Sequence, residues 1–223
     1  MSTTMPTDSP ARRRAIPAAD ARNQILDAAE ALFYREGARN VGVDAVVKAA
    51  GVNKMSLYRQ FASKDELLRQ YLDRRDARFW QLYQASLAHH PDNALAGLRQ
   101  VFIDLAARIQ AADYRGCPFV NIACEFPERS HPARLQVADN KRRLLAWLTD
   151  AARDAGAVAP PELAAGLALL IEGAYTASQT YPAGNPLLTA LPRVADVLIR
   201  AALPPQLALS MIGAADDLQG PAE

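Results

Sequence analysis

Apolar positions recur at helical spacing along most of the chain, and cap and turn residues cut that pattern into segments. Arg22 to Gly37 reads as one amphipathic helix, with Ile25, Ala28, Ala29, Leu32 and Phe33 on its apolar face and Gly37 as its C-terminal stop. Val43 to Ala50 forms a short helix with Val43, Val46, Val47 and Ala50 at helical spacing. Gly51 and Val52 interrupt it, and Asn53 is suited to cap a second short helix running from Lys54 to Phe61. Ser63 and Glu66 then stand at the spacing of a capping box. They open a long helix whose stripe of Leu67, Leu68, Tyr71, Leu72, Phe79, Leu82 and Tyr83 reaches about Leu87, before His89-His90-Pro91 ends it.

The pattern stays helical beyond that point. Asn93 to Ala112 places Leu95, Leu98, Val101, Phe102, Leu105 and Ile109 inward. Gly116 breaks it, and Pro118 is placed at the first position of a short helix bracketed by Pro127 and Pro132. Pro132 to about Ala155 is expected to bury Leu135, Ala138, Leu144, Leu145 and Leu148, with Trp147 at its edge. Pro161 to about Ser178 carries Leu163, Leu167, Leu170, Ile171, Ala174 and Tyr175, with Gly166 and Gly173 allowing close helix approach. Leu191 to Leu203 puts Val194, Val197, Leu198 and Ala201 on one stripe. No internal repeat is visible. The fold class is therefore all-α, a three-helix head on a larger helical body.

Two short helices joined by a tight glycine turn make a helix-turn-helix, whose second helix is sized for a DNA major groove. Val46, Ala50, Val52 and Leu57 recur where the two helices must bury against each other. Lys54, Met55, Ser56, Tyr58, Arg59 and Gln60 remain outward, a set usable on phosphates or base edges. The competing reading, an αα-hairpin with a solvated face, loses ground because the preceding amphipathic helix supplies a third wall for a small core.

Charge agrees with that division. The 223 residues carry a net charge of +1, but Met1 to Lys64 holds ten Lys/Arg against six Asp/Glu, and the remainder fifteen against eighteen. A basic head on a mildly acidic body is expected where only the head meets phosphates. Residues 1–20, proline-containing and bearing Arg12-Arg13-Arg14, read as a disordered basic arm, solvated or laid along a groove. The head spans residues 21–66, the body 67–205, and 206–223 form a flexible tail. No apolar run follows the arginines and none is long enough to span a bilayer, so a cytoplasmic protein without membrane contact is expected.

The run from Arg22 to Leu68 resembles the DNA-binding domain of the TetR/AcrR family of transcriptional regulators. The likeness lies in the Ala49-Ala50-Gly51-Val52 turn, the Ser56-Leu57-Tyr58-Arg59-Gln60-Phe61 segment and the Ser63-Lys64-Asp65-Glu66-Leu67 helix start. Gly42 departs from the pattern, standing where a phosphate-touching Ser or Thr often caps, and Val47 replaces a usual alanine. The resemblance implies a ligand-responsive repressor that binds double-stranded DNA as a homodimer through Gly42, Val43, Lys54, Met55, Ser56, Tyr58, Arg59, Gln60 and Lys64. It implies a body that encloses a small-molecule inducer, with Phe102, Cys117, Asn121, Trp147 and Tyr175 as candidate lining. It also implies dimerisation through the last two helices, which are more apolar than one small body needs to cover. No cofactor is expected.

Other chemistry is sparse. Cys117 and Cys124 lie seven residues apart on the short Pro118 helix, too far apart for a disulfide. Cys117 precedes a helix N-terminus, a position that favours thiolate chemistry, and Gly116-Cys117-x-x-x-Asn121 is similar to a segment in family members answering to electrophiles. An electrophile sensor and a buried apolar filler are both open. The rival enzyme reading rests on Glu128-x-x-His131, a carboxylate-bridged metal spacing, with Glu125 and Glu172 as further carboxylates. Two prolines bracket that motif, so a helix cannot display it. A helical interaction module without DNA binding is a third class, opposed by the retained Lys54, Tyr58, Arg59 and Lys64.

Overall fold

The chain is described here by a computed structural model that covers residues 18–206, so Arg12-Arg13-Arg14 and the tail beyond Gln206 lie outside the described residues. Helix α1 (Ala18–Glu36) begins before Arg22 and buries Ile25, Leu26, Ala29 and Phe33. It stops where Gly37 takes φ +88°, a left-handed conformation that costs glycine little. Helix α2 (Val43–Ala49) turns through Gly51 at φ +67° into α3 (Lys54–Gln60), in whose first turn the Ser56 N–H donates to the Asn53 side chain at 2.8 Å.

Helix α4 (Lys64–Ala88) starts at Ser63, whose hydroxyl accepts from Glu66 N–H at 3.1 Å. The reciprocal half of the expected capping box is not made. Arg69 and Gln70 hold the Glu66 carboxylate instead, keeping its pKa down to about 2. The body follows as α5 (Ala94–Arg108), α6 (Pro118–Glu125), α7 (Pro132–Asp154), α8 (Pro160–Ala177), α9 (Pro186–Thr189) and α10 (Leu191–Ala201). Helix α9 was not expected from the periodicity; Asn185 caps it and Pro186 occupies its first position, enough to nucleate one turn.

Helix α1 packs on α2, α3 and α4 to close the head, and α4 runs on to pack against α5, α6 and α7. Helix α8 lies on α7 and α10, and α10 returns to α5. One continuous apolar cluster results, from Ile25 in the head to Leu203 at the far end. Among the described residues no strand occurs, and no helix is long and apolar enough to cross a membrane.

Three expected core stripes are buried only in part. On α7, Leu135 is 58% exposed, and Ala138 and Leu145 are exposed too. The buried stripe is Ala133, Val137, Asn140, Leu144 and Leu148. The helix carries apolar residues on two faces, and Asn140 can be buried because its amide donates to Asp76 on α4 at 2.8 Å. Leu82 likewise sits at the α4 surface. On α10 the core takes Leu191, Ala195 and Ile199, leaving Val194, Val197 and Ala201 outside and Leu198 half-buried. Gly166 and Gly173 do not pack closely within the chain: a Cβ at Gly173 would meet nothing within 4 Å, and one at Gly166 only Leu198 at 3.8 Å.

Leu57 is the fully buried anchor of α3. Leu57→Ala is expected to destabilise the chain by about 2–5 kcal/mol, measured by urea unfolding followed by circular dichroism; a change below about 0.5 kcal/mol would contradict this packing.

Candidate nucleic-acid interface and the cavity behind it

Helix α3 is held at both ends. Asn53 caps its start, and at its finish the Arg22 guanidinium on α1 donates to the Gln60 carbonyl at 2.9 Å while lying over the Phe61 ring. A cation at a helix C-terminus satisfies a free carbonyl and complements the helix dipole. Arg22 lies 38 residues from its partner, so no local sequence signal marks it.

The outer face of α3 is open. Met55 is 65% exposed, Tyr58, Lys54 and Arg59 are exposed, and Ser56 and Gln60 are half-buried. Lys54 is paired with Asp44 at 2.9 Å, which raises its pKa through that hydrogen bond. Both partners are solvated, so the pair contributes little and can exchange for another anion. Gly42 is the exposed N-cap of α2 without a side-chain cap, and Val43 rests half-buried against the core. Lys64, in the first turn of α4, is half-buried and donates to the Arg39 carbonyl at 3.2 Å; burial lowers its pKa. That bond uses one of its three N–H donors and holds the ammonium at the start of α4, leaving two for an anion.

The end of α1 is tied to both ends of α6. The Tyr34 hydroxyl accepts from Arg115 N–H at 2.8 Å and donates to the Gly116 carbonyl at 3.0 Å, in the loop that leads into α6. At the other end of α6, the Glu125 carboxylate accepts from Arg39 N–H at 2.7 Å, and the Arg39 guanidinium donates to the Glu125 carbonyl at 2.9 Å.

A cavity of about 310 Å³ opens along this seam between head and body. Tyr34, Arg75, Arg78, Phe79, Tyr83, Arg108, Tyr114, Cys117 and Tyr175 are among its walls. Burial raises the pKa of Tyr34, Tyr83, Tyr114 and Tyr175, so these hydroxyls stay protonated. Of the candidate ligand residues, Cys117 and Tyr175 reach the cavity. Phe102 does not, because it is fully buried in the core. Trp147 lies edge-on to Tyr83 at 5.1 Å, off the wall, and the Asn121 amide donates to the Arg115 carbonyl at 2.8 Å, bracing the loop instead. Tyr34, Arg75, Arg78, Arg108 and Tyr114 were missed. Arginines on an amphipathic helix read as solvated, and Arg78 is indeed exposed at the cavity rim; only the packing of the helices turns Arg75 and Arg108 inward.

Cys117 is buried as the N-cap of α6, with the Lys141 ammonium 3.7 Å from its sulfur and paired to Glu172 at 2.6 Å, whereas Cys124 is exposed. The metal motif is dispersed. His131 caps α7 by accepting from Ala133 N–H at 3.2 Å and stacks beside Phe126, and Glu125 and Glu172 are engaged by Arg39 and Lys141. Among the described residues no three His, Cys, Asp or Glu side chains converge as metal ligands.

Comparison with known proteins places this geometry. Residues 25–71 match the family model for bacterial regulatory proteins of the tetR family, and residues 94–191 match that for the C-terminal domain of LmrA/YxaF-like transcriptional regulators. A crystal structure described as a TetR-type transcriptional regulator from Streptomyces avermitilis is 34% identical, covering 82% of this chain and 97% of that one, with a TM-score of 0.71. A TetR-family transcriptional regulator from Streptomyces coelicolor superposes with a TM-score of 0.78 at 27% identity, over 82% of this chain and 96% of that one. The chain belongs to the TetR family of bacterial regulatory proteins. Among curated relatives, the transcriptional activator FasR of Mycolicibacterium smegmatis is 34% identical over 45% of this chain, and the transcriptional regulator TtgR of Pseudomonas putida 29% over 56%. The matched stretches span 41% and 63% of those two relatives.

Tyr34→Phe removes both bonds to the Arg115–Gly116 loop. It is expected to cost about 1–2 kcal/mol in urea unfolding and to speed amide exchange at Arg115; unchanged exchange there would show that the hydroxyl is not the tie.

Proposed function

We propose that the chain is a dimeric, ligand-responsive transcriptional repressor that reads a palindromic operator with α3 and is released when a small molecule fills the cavity at the head–body seam. The observation that carries this reading is the Tyr34 tie: one side chain is at once a wall of the cavity and the bond that positions α1, against which α3 is packed. In this reading Lys54, Met55, Ser56, Arg59 and Gln60 face the major groove, and Tyr58, Lys64 and the backbone at Gly42 and Val43 meet phosphates. Acting on chromosomal DNA, it works in the cytoplasm and performs no catalysis.

Dimerisation follows from the outer faces of α8 and α10. Leu169 is 75% and Val197 61% exposed, and with Val194, Gly166 and Gly173 they make an apolar, small-residue surface that the chain itself leaves uncovered. Pairing there sets two α3 helices to meet successive grooves about 34–36 Å apart. A ligand that displaces the Arg115–Gly116 loop alters that separation, a coupling of about 1–3 kcal/mol between the two sites. Cys117, on the cavity wall, is where an electrophile entering the same space would react.

Retention of genomic fragments by the purified chain tests the reading directly. Operator affinity is expected to fall with salt by about −0.9 log units per log unit for each phosphate neutralised. Arg59→Ala should shift sequence preference by about 1–3 kcal/mol at the base it reads, whereas Lys64→Ala should weaken all sequences alike. Leu169→Glu with Val197→Glu should yield a monomer in sedimentation and abolish operator retention. A dimer that retains no fragment at low salt would overturn the function.

A further inference from the structure

The cavity at the head–body seam has more hydrogen-bond donors than its walls can satisfy. Tyr83 and Tyr175 face each other with their hydroxyl oxygens 3.2 Å apart, and both side chains are almost wholly buried. Two hydroxyls carry two hydrogens, and the bond between them uses one. The other has no protein acceptor among the described residues. The Tyr114 hydroxyl, on the same cavity, also has no protein partner among them. Burial keeps these phenols protonated, so they offer hydrogens and not charge.

The charge balance points the same way. Arg75 and Arg78 share a single carboxylate, that of Glu30, at 3.3 and 3.6 Å. Arg108 is half-buried in the last turn of α5, and its guanidinium forms no ion pair or hydrogen bond with another described residue. Asp113 is the one carboxylate among the lining residues, against three guanidiniums. Water can take up spare hydroxyl hydrogens, but an anion does so and also compensates Arg108. The apolar part of the wall includes two phenylalanines: Phe79 stands edge-on to Phe119 at 6.2 Å and tilted on Tyr83 at 4.5 Å. About 310 Å³ is at the small end of ligand cavities.

Resting on the ligand-responsive reading above, we infer that the cavity takes a small aromatic carboxylate, its charge held by Arg108 and its oxygens by the spare hydroxyls of Tyr114 and the Tyr83–Tyr175 pair. The ring lies against Phe79 and Phe119, and Arg75 and Arg78 supply the positive field at the mouth. An aromatic cation or a neutral amide leaves the guanidinium uncompensated.

Isothermal titration of the full chain with 2-naphthoate, 2-naphthamide and 2-naphthylmethylamine tests this. The acid is expected to bind at least about tenfold more tightly than the amide, since charge-assisted hydrogen bonds are the strong ones, and the amine not at all. Arg108→Gln should bring the acid and amide within about threefold of each other, and Tyr114→Phe should weaken the acid selectively; thermal melts of both variants check that they fold. Equal binding of acid and amide, an acid preference that survives both substitutions, or no binding of the acid overturns the assignment. Operator retention by the unliganded chain is read separately. A neutral amide that binds and releases DNA would sink the carboxylate and leave the ligand-responsive regulator intact.

Discussion

Everything in this molecule depends on α4 being buried along its whole length. Its 25 residues, about 37 Å of helix, carry Leu67, Leu68, Tyr71 and Leu72 into the head and Phe79, Tyr83 and Ser86 into the body. Because its inward face is mostly apolar at both ends, head and body share a single core instead of being joined by a hinge. A head fixed in that way can report on the body only if some contact at the junction has two states.

The junction supplies such contacts at the end of α1. Tyr34 grips the loop before α6 and Arg39 grips the helix's last residue, so α6 bridges head and cavity with a polar bond at each end. Hydrogen bonds of this kind each contribute about 0.5–1.5 kcal/mol, weak enough for a ligand to displace and directional enough to set an orientation. The apolar core beneath them holds the fold when they change. In the proposed regulator, stability and signalling rest on different interactions, the one non-directional and extensive, the other local and geometric.

Buried polar groups fix which face of each helix turns inward. Asn140 and Arg143 on α7 both reach Asp76 of α4, whose other bond comes from the Trp80 indole N–H. Ser86 of α4 meets Asp104 of α5 at 2.6 Å, and Gln100 bonds the same carboxylate. In another register the buried Ser86 hydroxyl and the buried Asn140 amide N–H groups would lose these carboxylate partners, a penalty of about 1–3 kcal/mol for each group left unpaired. Register, rather than net stability, is what these bonds specify.

The sequence alone determined the head. Gly37, Gly51, Asn53 and Ser63 are local signals whose conformational reason lies within a few residues, and the helix boundaries and turn fall where they put them. The all-helical body was legible for the same reason, through Asn93, Pro118 and Pro132 as starts. Only the tertiary structure decided the phase of α7, where two apolar stripes compete and Asp76, 64 residues from Asn140, chooses between them. It alone turned Tyr34, Arg108 and Tyr114 toward one cavity and removed Phe102, Asn121 and Trp147 from it. Caps and turns are short-range and can be read along the chain. A cavity is the meeting of distant side chains, and where they meet is set by how whole helices cross.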